Sequence, residues 1–195
     1  MIITPLSRFQ HAGELSLRVD SADPREGAIP EAELFMDLRP SDFVRLPASL
    51  WCIIYLLLAR YRNVPSTLWV PTHTGVCIYL KSLGLFGVLQ RNGVEVDDLG
   101  IYEREDSQLV LPLTRFDTVS EAEELTNKAV DALKDSALGA ANLYPVVSET
   151  FGELAMNAVE HSDSPIGAYG AIQFYESEFG RRFVCGRGDW NPALA

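Results

Sequence analysis

The chain has 195 residues, 47% of them hydrophobic and 22% charged, an ordinary globular balance sufficient for one large domain or two small ones. A formal net charge of −11 argues against a nucleic-acid surface, which needs a concentrated basic face, while leaving local phosphate binding open. The longest apolar run, Leu50 to Ala59, is too short to span a bilayer, and no basic-then-apolar leader opens the chain. Cys52, Cys77 and Cys185 show no metal-ligand spacing. Cys52 and Cys77 lie in apolar runs and read as buried thiols of a reducing compartment, so the expected location is the cytoplasm.

Residues 1–33 are weakly patterned. Leu15 to Val19 alternates as a strand would, Ser21 to Gly27 is turn chemistry, and no site is visible. Leu34 to Leu38 reads as a short buried strand broken by Arg39-Pro-Ser-Asp42. Pro47 sits where a helix tolerates a missing N–H, and Leu50 to Tyr61, apolar nearly all round, predicts a core helix. Thr67 to Val70 is a second strand, closed by Pro71. Val76, Tyr79, Leu80, Leu83 and Phe86 predict one helix over 76–89, weakened at its end by Gly84 and Gly87. Strand, helix, strand, helix with short links implies parallel strands and right-handed crossovers. Asn92-Gly93 and the acidic run Glu95 to Asp106 read as a polar linker, a hairpin being one form it could take. Leu109 to Leu113 reads as the opening strand of a second domain, its Pro112 favouring an edge.

A helix follows over 121–134, with Asp117, Thr118 or Ser120 as its cap and acids at its positive end. Val119, Ala122, Leu125, Ala129 and Leu133 supply its apolar face. The short link over 135–142 predicts that the next helix packs beside it, and Pro145 suits that helix's first turn. From Val146 to Ser162, two stripes coexist. Val146, Val147, Phe151, Leu154, Ala155, Ala158 and Val159 form an apolar face, while Glu149, Glu153, Asn157 and His161 recur at steps of four. A polar stripe is most often a solvated face, but carboxylate, amide and imidazole in one line also suit metal or phosphate chemistry. A turn over Asp163 to Gly167, a strand over Ala168 to Tyr175, a turn at Phe179-Gly180 and a strand opening at Arg181 to Cys185 complete the pattern.

The order Glu153-Leu-Ala-Met-Asn157-Ala-Val-Glu-His161 resembles the N-box of the GHKL ATPase superfamily, which includes gyrase and the histidine kinases. It is most similar to that of the anti-sigma-factor serine kinases, where the box reads roughly Glu-x-x-x-Asn-Ala-x-x-His. The resemblance implies ATP and magnesium as cofactors. Asn157 would hold magnesium on the nucleotide phosphates, His161 would join it in the binding site, and Glu153 would be the general base or water-positioning group. An amide oxygen with bridging waters suits magnesium, and one helical turn sets Glu153 beside the same phosphates.

Residues 34–112 resemble the STAS fold of anti-sigma-factor antagonists, on Met36-Asp-Leu38, on the approach of Phe43-Val44 to Pro47-Ala-Ser-Leu50, and on Val76 to Leu80. Pro47 stands roughly where that family has a phosphorylatable hydroxyl, so no such switch is expected there. Ser49 reads as a helix-start residue, and the module as a scaffold or docking surface. The expected fold is therefore α/β (α+β): a weak segment 1–33, a STAS-like βαβα module 34–112, and the N-terminal part of a GHKL α/β sandwich 113–195 with its N-box at 153–161. The implied partner is a sigma factor or a STAS-type regulatory protein, with no nucleic acid and no membrane; a homodimer is left open.

After its strand the resembled family has Asp-x-Gly-x-Gly, whose Asp accepts from the adenine amino group. Here Gly186 stands at the Asp and Trp190 at the second Gly, and no lid or second glycine box follows. Codons chosen for Cys185 to Pro192 and read from their second base give Ala-Asp-Glu-Gly-Ile-Gly-Ile-Pro, and Trp190-Asn191 yields the second glycine whatever codons are used. A one-base slip near codon 185 is thus one reading of the tail, and a natural divergent end is the other. Either way nucleotide binding is expected to be weak or lost, and kinase or ATPase activity with it. Gly186 to Asp189 also contains an Arg-Gly-Asp triplet and a Gly-x-Gly pair, both common by chance and lacking a following helix. Two alternatives stand beside this reading. One is a non-catalytic regulatory or docking protein. The other is a metal site made by Glu149, Glu153, Asn157 and His161, against which one helix alone wraps a metal poorly.

Overall fold

The computed structural model describes residues 33–97, 100, 109–135, 144–162, 164–177 and 180–188, together with the pairs 2–3 and 8–9. The chain divides into two units, one within Met1–Asp106 and the other Ser107–Asn191. Both mix helix and strand, and the fold class is α/β in that broad sense.

In the first unit, β1 (Ile2–Ile3), β3 (Leu34–Asp37), β5 (Ser66–Trp69) and β6 (Glu95–Asp97) form a parallel sheet in that order, and β2 (Arg8–Phe9) pairs in parallel with β4 (Phe43–Val44). Parallel strands need crossovers, and helices supply those from β3 to β5 and from β5 to β6. The first, α1 (Leu46–Tyr61), starts from extended Arg45 with Pro47 in its opening turn. Its buried positions run round most of the cylinder, from Leu46 through Ile53 and Tyr55 to Ala59, so it is a core helix rather than an amphipathic one. Asn63, at φ 60°, ends it in the left-handed region that Asn tolerates, and Val64 N–H closes on the Ala59 carbonyl at 2.9 Å.

Three expectations are corrected here. The helix expected over 76–89 is two helices, α2 (Thr74–Ser82) and α3 (Leu85–Arg91). Gly84 adopts φ 82°, which stops the first and starts the second, because only glycine takes that conformation at little steric cost. Asn92-Gly93 is not a hairpin. Gly93, at φ 77°, reverses the chain at the end of α3, and Val94 N–H donates to the Leu89 carbonyl at 3.0 Å. Glu95 to Asp97 then becomes the fourth parallel strand, paired with Thr67 to Trp69, rather than linker. Within the weakly patterned N-terminal segment, β1 and β2 both pair with later strands. The strand expected over 15–19, the turn over 21–27 and the linker over 101–106 fall outside the described residues.

The second unit runs β7 (Leu109–Phe116), α4 (Val119–Asp135), α5 (Tyr144–Ser162), β8 (Ala168–Ser177) and β9 (Gly180–Gly188). Its strands form an antiparallel sheet in the order β7-β8-β9. β7 crosses the expected 112/113 boundary as one strand, and its pairing with β8 shifts register on both sides of Leu111, next to Pro112, as an edge strand with a proline does. α4 and α5 pack side by side, and Leu125, Leu133, Val147, Phe151, Phe116 and Ile172 belong to the core they share with the sheet. Gly170 on β8 lets them come close: a Cβ there would stand 3.0 Å from Phe151 and 3.3 Å from Leu125 and Phe116. Burying a side chain such as Phe151 contributes about 2–3 kcal/mol, so this face, not helix propensity, holds α5 in place.

Candidate functional site around the fifth helix

Along α5, Val147, Phe151, Ala155 and Ala158 are buried. Val146, expected with them, is 52% exposed, and the apolar face begins one residue later. Leu154 and Val159 are half-buried. The polar stripe lies outward: Glu149, Glu153 and His161 are exposed and Asn157 is half-buried. Successive members stand one turn, about 6 Å, apart along the axis. Among the described residues, no three or more His, Cys, Asp or Glu side chains gather as a metal cage. A cation at Asn157 would therefore need most of its oxygens from water or from the phosphates of a ligand.

A concavity of about 320 Å³ opens at the C-terminal end of the same helix, lined by Phe116, Asp117, Ala158, Val159, Ser164, Gly167 and Ala168. Glu153, Asn157 and His161 do not line it. The structure thus places the stripe and the hollow on one helix without merging them.

The wall of the hollow is built locally. Ser164 Oγ donates to the Gly167 carbonyl at 2.8 Å, and Gly167 N–H donates to the Ser164 carbonyl at 3.1 Å. Gly167 is at φ 78°, with the Asp117 carboxylate and the Arg115 guanidinium packed where a side chain would start. Arg115 Nη2 meets Asp117 Oδ2 at 3.0 Å, both groups about half-exposed, a pair worth under about 1 kcal/mol.

Asp117 is held by the start of α4. Thr118 Oγ1 accepts from Glu121 N–H at 3.2 Å, while Glu121 Oε2 accepts from Asp117 N–H at 2.7 Å and Thr118 N–H at 3.0 Å. This reciprocal box selects Thr118 from the three cap candidates. Those backbone N–H donors, Asp117 first, hold the Glu121 carboxyl below its usual range. Asp117 carries a second role, as lining of the hollow, that the sequence did not reveal. Its neighbours there, Ser164 and Gly167, lie some fifty residues away, and no periodicity links them.

In the first unit, β3, β5 and β6 end in one row, Asp37 beside Trp69 and Trp69 beside Asp97. Ligand sites of open parallel sheets form at such carboxyl ends. Here, however, Arg39 turns back on Asp37, with Nε to Oδ1 at 2.8 Å and Nη2 to Oδ2 at 2.9 Å, and its guanidinium lies 4.2 Å from the Trp69 ring centre. Phe35 stacks on Trp69 at 5.1 Å. The Arg39 side-chain hydrogen bonds lower the Asp37 carboxyl, and Asp37 raises the Arg39 guanidinium in turn. Ser49, at the helix start, is buried and donates from Oγ to the Arg45 carbonyl at 3.2 Å. Cys52 and Cys77 are buried free thiols, and burial raises the Cys52 thiol far above the range of a reactive one.

At the far end, β9 continues through Gly188, with Gly186 in register opposite Ala171. Trp190 and the rest of the tail lie outside the described residues. No described helix is long and apolar enough to cross a membrane. Compared with known proteins, the chain matches no family model, no curated protein and no solved structure.

Proposed function

We propose that the second unit is a nucleotide-handling module of the GHKL type, similar to the anti-sigma-factor serine kinases, in which Asn157 binds magnesium carried by ATP and Glu153 acts as base or water-positioning group, with His161 alongside. The first unit is then a STAS-like docking scaffold, and the partner a sigma factor or STAS-type protein. The observation that carries this reading is the outward placement of Glu153 and Asn157, one turn apart, on a helix whose opposite side is locked into the core. The donors fit a hydrated magnesium ion in kind, one amide oxygen and one carboxylate. Bound magnesium would neutralise phosphate charge and orient the terminal phosphoryl group.

Enclosure is the weaker side of the fit, because the hollow at the end of α5 is lined by other residues. We therefore expect weak, magnesium-dependent binding of ATP and little or no turnover by this chain. Titration with a fluorescent ATP analogue, with and without magnesium, tests it. Millimolar affinity that vanishes in Asn157→Ala and without magnesium supports the assignment. Micromolar affinity would show that the site is more complete than proposed, and binding indifferent to magnesium and to Asn157→Ala would end the reading.

A second reading, a non-catalytic docking protein, is favoured by the outer edge of β9, which pairs with no other described strand. It predicts partner capture that Asn157→Ala leaves unchanged.

A further inference from the structure

A strand at the edge of a sheet offers unpaired N–H and C=O groups to any extended chain, and proteins usually blunt such edges with proline, bulges, shortness or charge. The described edge strands divide sharply on this point. β1 has two residues and β6 three, with exposed Glu95 and Asp97. β7 carries Pro112 and two register irregularities. β9 has neither the shortness, the proline nor the register breaks of the others. All nine of its residues pair in unbroken register with β8, from Ser177–Gly180 to Tyr169–Gly188, and it contains no proline. At about 3.4 Å per residue it presents an edge roughly 30 Å long. Among the described strands, none pairs with its second side.

Its charge also runs against the net sign of the chain. Arg181, Arg182 and Arg187 fall within nine residues that contain no acid, in a chain of net charge −11. Of the three, Arg181 alone has an acidic residue opposite it on β8, Glu176; Arg182 is paired with Tyr175 and Arg187 with Gly170. Like charges directly opposite each other destabilise a pair of strands. A second copy of β9, antiparallel about Val184, would set Arg181 against Arg187, and a parallel copy in register would set each arginine against itself. Self-pairing is therefore disfavoured by the sequence of the strand itself, while an acidic strand is favoured at the same positions.

We propose that β9 is a docking edge that receives an extended acidic segment of a partner protein as a fourth strand. Backbone hydrogen bonds supply the adhesion, and the arginines select the partner by charge. The inference is independent of nucleotide binding, since it uses the outer edge of the sheet and not the stripe on α5.

The test is hydrogen exchange of the full chain at amides 180–188, with a nine-residue peptide alternating Glu with Val and Thr as the probe. Its charge-inverted Lys version and a version N-methylated at alternate residues are controls. The acidic peptide is expected to slow exchange in 180–188 and to bind roughly tenfold more tightly than the Lys peptide at low salt. N-methylation should abolish protection, and Arg181→Glu with Arg187→Glu, two positions on the same face of the strand, should reverse the charge preference. The peptide comparison on the unaltered chain decides the matter even if that double variant does not fold. Unchanged exchange with the acidic peptide overturns the proposal. So does equal binding of the acidic and Lys peptides, retained binding after N-methylation, amides already fully protected in the chain alone, or protection by a single-stranded oligonucleotide and not by the peptide.

Discussion

Thr118 and Glu121 cap each other: the Thr118 hydroxyl accepts from Glu121 N–H, and the Glu121 carboxylate accepts from Thr118 N–H and, more closely, from Asp117 N–H. The box satisfies three donors at the entry to α4, and Asp117, which supplies one of them, also lines the hollow beside α5. Thr118→Ala is expected to cost about 1 kcal/mol, read as a lower urea midpoint, with faster amide exchange confined first to the opening turn of α4. Serine at 118 should restore most of the loss, because it keeps the accepting oxygen.

Two left-handed glycines should respond differently to alanine. At Gly84 nothing lies within 4 Å of the place an alanine methyl would take, so Gly84→Ala carries backbone strain alone, about 1 kcal/mol. Gly167 has the same backbone demand, but Asp117 and Arg115 occupy the space. Gly167→Ala must also displace that ion pair and should cost ~2 kcal/mol or more. Thermal denaturation of the two variants gives the comparison, and equal losses would contradict the packing described around Gly167.

Acid should weaken both units through groups whose folded pKa is depressed. Asp37 is lowered from its ordinary 3.8 mainly by the Arg39 hydrogen bonds, and Glu121 from 4.5 mainly by the Asp117 N–H. A depressed carboxyl contributes stability that is fully present above its unfolded value and is lost as pH falls through its folded value. Stability should therefore be flat near neutrality and decline below about pH 4, as these carboxylates protonate. Asp37→Asn should flatten part of that decline, and urea midpoints at several acidic pH values would show it. A slope identical to that of the parent would mean that Arg39 does not favour the ionised form.

Cys52 is enclosed by the core and its thiol is raised by burial, so it should resist alkylation. Mass-spectrometric mapping with a maleimide at neutral pH should find Cys52 and Cys77 unlabelled in the folded chain and labelled in urea. Rapid labelling of Cys52 under native conditions would show that α1 opens far more readily than its packing implies.

Periodicity determined most of the elements. The apolar run of α1, the two stripes of α5, the amphipathic α4 and the parallel reading of β3 and β5 all follow from residues near in sequence, because burial of one face is a local pattern repeated at a fixed step. The same reasoning set Glu153, Asn157 and His161 in one line, and the structure keeps them together on the outward side of α5. What sequence left undecided depended on backbone conformation or on distant partners. Gly84 divides a helix because of one positive φ; Gly93 turns the chain so that Glu95 to Asp97 becomes a strand, and that strand exists only because β5 is there to pair with it. Val146 faces outward because the core ends at Val147. Asp117, Ser164 and Gly167 meet at one hollow, and Arg39 closes over Asp37 and Trp69, through contacts at loops and strand ends that carry no repeating signal. Local burial patterns choose the elements; only chain reversal and strand pairing choose which side chains share a site.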